Sequence, residues 1–407
     1  MMTLLSEYDA LVVGGGPAGA SAAIHLALKG ARVLLAEQKK FPRAKLCGEF
    51  ISPECLEHFA RLGVGESMQA AGGASLSETV FYARGGSHVN VPSEWFVSGG
   101  MQALGLSRAE MDARLLARAR GVGVEVLEET QATNLLIEDG RVCGAQLKHG
   151  SETARTVRAR VTLDATGRAR TLARRVEKSA GEKIRKQARL VAFKAHLTGA
   201  RGAAGHCEIY LYRGGYGGLN FVENGLSNLC FIASARDVKA CGGEAERVMR
   251  EVVCRNQRAA STLSHARTAT PWLAVSLEGF GRRRLVPADG LLTIGDAASF
   301  IDPFTGSGML MALESGELAA AAIVRNLPSL RTGAAFQTLA GDYRTLYGER
   351  FDARLRVCTA LRRAAFVPRL AEALIYLLGA SDWARRRLAR ATRNQTKQSP
   401  LTETQTR

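Results

Sequence analysis

Six consecutive residues, Gly14-Gly15-Gly16-Pro17-Ala18-Gly19, have the types and spacing to hold a diphosphate. Gly14 permits a tight turn, Gly16 lets the backbone approach a pyrophosphate, and Gly19 allows close packing of helix on strand. Pro17 and Ala18 open the helix, whose N-terminus then faces the phosphate charge. Glu37, followed by Gln38, ends the next apolar run, where a carboxylate can accept hydrogen bonds from a ribose hydroxyl pair. Such a unit serves several dinucleotides alike. A second set, far downstream, narrows the choice. Leu291-Leu-Thr-Ile-Gly295-Asp296 reads as a buried strand that delivers Asp296 to sugar-alcohol hydroxyls. Asp302-Pro303-Phe304-Thr305-Gly306-Ser307-Gly308-Met309 reads as a loop running into a helix start, which can stabilise negative charge on a reduced flavin ring.

The two sets together resemble the para-hydroxybenzoate-hydroxylase-like flavoprotein superfamily. Phe41-Pro-Arg43-Ala-Lys45-Leu-Cys47-Gly48-Glu49 is similar to its geranylgeranyl-reductase and halogenase branch. Arg108, opening a helix, matches the superfamily arginine near the flavin's phosphate and ribityl chain. Asp164-Ala-Thr166-Gly167-Arg168 is similar to the segment beside FAD. The resemblance implies a cofactor set of Gly14, Gly16, Pro17, Ala18, Gly19, Glu37, Gln38, Arg43, Lys45, Cys47, Gly48, Arg108, Ala132, Thr166, Gly167, Gly295, Asp296, Pro303, Gly306, Gly308 and Met309 around one FAD. It also implies reduction by NAD(P)H or by a separate reductase.

Cys47 and Tyr216 are the catalytic candidates. The resemblance puts Cys47 close to the ring, either as a space-filling group or, if Arg43 and Lys45 depress its pKa, as a reactive one. Tyr216 lies in Gly214-Gly-Tyr-Gly-Gly218-Leu-Asn-Phe221, where reductases of the branch carry a Tyr-x-Trp-x-Phe-Pro pattern. Gly218 replaces the tryptophan and the proline is missing. His196 or His206 could donate a proton, and His25 reads as a packed helix residue. The eight cysteines form no Cys-x-x-Cys pair and the histidines show no ligand spacing, so neither a metal nor a disulfide framework is expected.

These residues need a scaffold. Residues 8–13 and 32–36 read as parallel strands around a helix from Pro17 to about Lys29. Residues 107–120 read as a helix with Ser107 as its cap. Residues 132–137 and 143–147 read as strands, and the helix after Gly308 reads to about Val324. The fold class expected is α/β: a Rossmann-type FAD-binding domain (1–75, 99–185 and 280–330) interleaved with an antiparallel substrate sheet (76–98 and 186–279). C-terminal helices fill 331–393, and a polar tail, 394–407, is expected to be disordered.

Composition is ordinary, at 46% hydrophobic and 23% charged, but the net charge of +17 is not. Without an aromatic-interleaved basic stripe, nucleic acid is not the expected partner. The arginines of 354–393 read as a solvated rim around an apolar face carrying Leu377 and Trp383. The sharper alternative is peripheral contact with an anionic membrane. No basic lead, apolar core and cleavage site opens the chain, and a cytoplasmic enzyme is expected. The activity expected is an FAD-dependent monooxygenase acting on a small aromatic or hydrophobic substrate through a flavin peroxide. The alternatives are reduction of C=C bonds in a lipid or prenyl chain, halogenation, and tailoring of a partner polypeptide. The oligomeric state stays open.

Overall fold

All six residues of the strand Tyr8–Val13 are buried, the mark of a parallel strand covered on both faces. It pairs in parallel with Val33–Ala36 on one side and Arg155–Asp164 on the other. Glu125–Leu127 extends the sheet beyond Val33–Ala36, and Leu291–Thr293 lies parallel to Arg155–Asp164. An antiparallel flap of Thr130–Glu138 and Arg141–His149 completes these seven strands. The computed structural model describes residues 7–97, 100–179, 189–302, 304, 306–332, 336–365 and 368–391, with the backbone alone at 361–365, 368–371, 373 and 374. Pro303, Phe366, Arg393 and the tail 394–407 lie outside the described residues.

The helix Pro17–Leu28 packs against Gly308–Arg331 almost backbone to backbone. A Cβ on Gly316 would sit 2.4 Å from the Ala18 carbonyl oxygen, and Ser21 donates to the Leu313 carbonyl at 2.8 Å. That contact brings both helix starts toward one space. The long helix runs past Val324 to Arg331, through Pro328, because its last turn is anchored: Arg331 pairs with the buried Asp9 at 2.7 Å.

A second, eight-stranded sheet orders Arg267–Thr268, Leu190–Thr198, Ser227–Ser234, Gly215–Phe221, His206–Tyr212, Glu78–Tyr82 and His88–Pro92, with Leu273–Leu277 also beside Leu190–Thr198. It is antiparallel except where His206–Tyr212 runs parallel to Glu78–Tyr82. The chain reaches that pair after a long excursion through the first sheet, which is what a parallel pairing requires.

Phe336–Ala365, Pro368–Gly379 and Asp382–Ala391 form the C-terminal helices. Two expectations for this region are corrected. Arg354 is not on a solvated rim: it is fully buried and pairs with Glu314 at 3.0 Å. Leu377 and Trp383, assigned to a packed face, are exposed. Helical spacing alone does not say which face meets the rest of the protein.

Glu314 also accepts from Arg350 and faces His58, while Glu317 pairs with His58 at 3.2 Å and Arg61 at 3.1 Å. Burial pushes the Glu314 carboxyl up, but Arg354, His58 and Arg350 outweigh it and hold it at about 2. A depressed carboxylate stabilises the fold above its ordinary range and ceases to as pH falls through the folded value. Glu314→Gln is therefore expected to lower unfolding stability at neutral pH by about 3–5 kcal/mol, since it strands Arg354. In urea titrations the deficit should shrink below pH 4.5 and vanish near pH 2. A constant deficit would assign the loss to packing instead.

Candidate cofactor and substrate cavity

The glycine turn after Tyr8–Val13 is built by exclusion. Gly14 has φ +111, and a Cβ there would meet the Ala165 carbonyl oxygen at 2.4 Å. A Cβ on Gly19 would lie 1.9 Å from the Gly14 carbonyl oxygen, so Gly19 packs beneath the turn instead of lining the space above it. Over Gly16 the nearest atom is Arg108 Nη2 at 3.8 Å. Gly16 caps the helix without a side-chain hydrogen bond, so the N–H groups of the first turn open onto that space. The Glu37 carboxylate is fixed by the backbone N–H of Gly15 at 2.8 Å and of Lys39 at 2.9 Å. Its remaining lone pairs point to a second acceptor role.

A cavity of about 630 Å³ starts here and continues between the two sheets. Gly14, Gly16, Pro17, Ala18, Glu37, Gln38 and Ala132 line its first part. Arg43, Lys45, Arg108, Thr166, Gly167, Gly295 and Asp296 follow, then Cys47, Gly48, Gly306, Gly308, Met309 and Tyr216. Apolar residues of the lining include Phe81, Val89, Leu211 and Ile232 from the second sheet and Ile375 and Leu378 from the C-terminal helices, with Arg385 beside them.

The middle part holds more positive charge than the protein neutralises. Burial, then the charges of Arg43, Arg108 and Arg168, lowers the Lys45 pKa. Burial likewise lowers that of Arg168. Burial pushes the Asp296 carboxyl up against the pull of Arg168, Arg108 and Lys45. Arg108 alone is firmly matched, by Asp112 through Nε at 2.9 Å and Nη2 at 2.7 Å. A cation cluster at a helix N-terminus, with an open glycine cradle and the carboxylates of Glu37 and Asp296 in the same lining, fits a dinucleotide diphosphate.

Burial raises the Cys47 thiol, and Arg108 is the cation that partly offsets it. The expected activation by Arg43 and Lys45 is thus corrected: Cys47 is a neutral thiol at neutral pH. The Tyr216 hydroxyl donates to Asp302 Oδ1 at 2.5 Å, and its ring meets Phe304 edge-on at 5.2 Å. Tyr216 therefore fixes the loop before the long helix as well as forming wall. His25 is buried in the first helix and His206 lies 3.8 Å from Glu78.

The residue that sequence reasoning passed over is Glu49, next to the singled-out Cys47-Gly48 pair. It is buried, and its φ of +52 turns the chain sharply. Its carboxylate accepts from Lys194 Nζ at 3.0 Å, the Arg108 backbone N–H at 2.9 Å and His196 Nε2 at 2.6 Å. Burial raises its pKa, but these partners outweigh it and hold the carboxyl below the usual range. The available signal was parity: Lys194 and His196 share the face of Ala192, which lines the cavity.

The FAD binding domain family matches residues 7–344. The chain is 30% identical over 323 residues to digeranylgeranylglycerophospholipid reductase of Methanosarcina mazei, covering 77% of this chain and 74% of that protein. It is 27% identical over 340 residues to digeranylgeranylglycerophospholipid reductase 2 of Methanopyrus kandleri, covering 81% and 80%. Among solved structures, the flavin-dependent brominase Bmp2 superposes with a TM-score of 0.79 at 21% identity over 98% of each chain. A geranylgeranyl bacteriochlorophyll reductase-like protein of Thermoplasma acidophilum gives 0.76 at 22%, over 95% of this chain and 96% of that one. These structures share the fold.

Gly16→Ala, which places a methyl in the cradle, and Asp296→Ala are expected to lower FAD occupancy of the purified protein sharply. Glu37→Gln should weaken FAD by about 1.5–3 kcal/mol, with a smaller change in the stability of the FAD-free fold. Flavin absorbance per mole of protein and a thermal melt read both. Full occupancy in all three variants would remove the cradle assignment.

Proposed function

On the premise that the chain belongs to the FAD binding domain family and is an FAD-dependent oxidoreductase, we propose that it reduces C=C bonds in a prenyl or other long apolar lipid chain. The observation that carries this reading is the apolar share of the cavity lining, with Phe81, Leu211 and Ile232 from the second sheet and Ile375 and Leu378 from the C-terminal helices. An extended hydrocarbon fits a passage of that lining, and its burial there is favourable without polar partners. The names of the reductase relatives support the same choice. The preference for monooxygenase therefore gives way to its alternative.

In this reading the helix start at Gly16–Ala18 and the cations Arg43, Lys45 and Arg108 take the diphosphate of FAD. Glu37 takes the adenosine ribose, and Asp296 takes the ribityl hydroxyls, where it gains hydrogen bonds that the buried carboxyl otherwise lacks water to make. Bound FAD supplies the hydride, received from NAD(P)H or a separate reductase. The residues Gly306, Gly308 and Met309, at the start of the long helix, place positive partial charge toward the ring. Cys47, neutral and small, fills space beside the ring. Glu49, through Lys194 and His196, holds the Cys47-Gly48 turn against the second sheet. The lipid is met by peripheral contact with an anionic membrane; among the described residues no helix is long and apolar enough to cross one.

A second reading, hydroxylation of an aromatic or hydrophobic small molecule, is favoured by Gly218. A Cβ there would lie 3.1 Å from Ile209 Cδ1, so the bulky residue of the reductase pattern would require that side chain to shift. The two separate in one experiment. The FAD-loaded protein is reduced without oxygen and mixed with a detergent-solubilised geranylgeranyl lipid. Reoxidation of the flavin, with one H2 added per double bond by mass, is expected. Absence of reoxidation by prenyl lipids, with oxygen-dependent hydroxylation of an aromatic compound, would establish the second reading instead.

A further inference from the structure

Five large hydrophobic side chains are exposed among the described residues, and three of them, Tyr376, Leu377 and Trp383, lie on the last two helices. Their neighbours on the same helices do the opposite. Ile375 and Leu378 line the cavity, as do Arg385, Leu388 and Ala389 of Asp382–Ala391. At 3.6 residues per turn, the midline of Tyr376 and Leu377 stands half a turn from that of Ile375 and Leu378. The second helix divides in the same way. Trp383, Arg386, Arg387 and Arg390 share one exposed face, opposite Arg385, Leu388 and Ala389. Among the described side chains the outer face thus carries Tyr376 and Leu377 with Glu372 on one helix, and Trp383 with Arg386, Arg387 and Arg390 and the exposed Asp382 on the other, while the inner face is cavity wall.

The pair is also tied to the substrate sheet at its edge. Arg385 and Arg386 lie over the Trp95 ring at 5.9 and 5.2 Å, and Arg385 donates to the Asn90 carbonyl at 3.2 Å. Arg387 covers the ring of Trp383 at 5.1 Å. Trp383 and Tyr376 combine an apolar body with a polar tip, the side-chain type enriched where hydrocarbon meets headgroups. Arginines beside them carry charge of the sign that anionic headgroups attract.

We propose that the helices Pro368–Gly379 and Asp382–Ala391 seat the protein on an anionic lipid bilayer, so that the cavity opens to the lipid between their inner faces and the sheet edge at Asn90–Trp95. Tyr376, Leu377 and Trp383 enter the interface, and Arg386, Arg387 and Arg390 meet the headgroups. A chain drawn from the bilayer then passes Leu388, Ile375 and Leu378 on its way inward. The docking stands on these two faces; only the passage of a substrate chain rests on the reductase reading.

The test uses the FAD-loaded full chain with vesicles of phosphatidylcholine, alone or mixed with phosphatidylglycerol. Cosedimentation is expected with the mixed vesicles at low salt and should fall as salt rises. Each arginine near such a surface is worth on the order of fivefold in partitioning, so Arg387→Gln with Arg390→Gln should weaken binding by at least about tenfold. The chain has three tryptophans, and Trp95→Phe with Trp272→Phe leaves Trp383 as sole reporter. Its emission should shift to the blue on mixed vesicles and be quenched by brominated lipid. No binding to anionic vesicles at low salt overturns the proposal, whether or not an acidic protein binds this face. Binding with Trp383 unquenched overturns it too, by assigning docking to another surface. Vesicle binding without reduction of any prenyl lipid would sink the proposed reaction and leave the docking standing. Reduction of detergent-solubilised lipid without vesicle binding does the reverse.

Discussion

A carboxylate cannot be buried unpaired, and Glu49 is 1% exposed. Its three partners come from two places in the chain: the helix start at Arg108, and Lys194 and His196 on the strand Leu190–Thr198 of the second sheet. Its carbonyl is held as well, by the Leu106 N–H and by Asn220 Nδ2, each at 3.3 Å. The backbone pays for this with a left-handed conformation in a non-glycine residue, worth on the order of 1–3 kcal/mol. In return the turn presents Gly48 to the cavity and sends the carboxylate behind it. The width of the space between the two sheets, and the position of Cys47 along it, follow from that clamp. Loosening any one of its partners would leave an under-compensated charge where the two sheets meet.

What the sequence made legible was local. The cradle Gly14–Gly19 depends on contacts within one strand–turn–helix, and the exclusions at Gly14 and Gly19 are those that the glycine pattern implies. Glu37 follows because its distance from the turn is set by one helix and one short strand. The clamp was not legible, because Lys194 and His196 lie 145 and 147 positions from Glu49. A strand with lysine and histidine at alternate places reads as half solvated, whereas Lys194 is 2% exposed. The activation expected for Cys47 failed for a related reason. Arg43 and Lys45 are its neighbours in sequence, but Arg108 is its neighbour in charge. Arg354 shows the same limit on a helix: spacing gives a face, and only the partner Glu314 says that the face is inside.

The basic character of the chain divides into groups with opposite physics. Arg350 and Arg354 are internal and matched by Glu314. Arg386, Arg387 and Arg390 are exposed, where water and salt screen them. Lys45 and Arg168 belong to neither group: they line a cavity, repel one another's neighbours, and are desolvated without a full complement of carboxylates. Local frustration of this kind marks a position selected for a ligand over stability. On the proposed reading a diphosphate would supply the missing negative charge, and the cofactor and the folded state would then stabilise each other by mass action.

On the proposed reading, that coupling lets one cavity serve two unlike molecules. Its charged stretch is closed at one end by the glycine turn, which admits backbone and phosphate but no side chain. Its apolar lining is mostly hydrocarbon, with Arg385 the charged residue among the C-terminal helices. Between them stand Cys47 and Gly48, small and neutral, held in place from behind by Glu49. A larger residue at Gly48 would intrude on the junction, and a charged one would carry the polar environment into the apolar stretch. On the proposed reading, the glycine turn and the cations Arg43, Lys45 and Arg108 would take the anion and the apolar lining the hydrocarbon, with the Cys47-Gly48 turn held by the partners of Glu49.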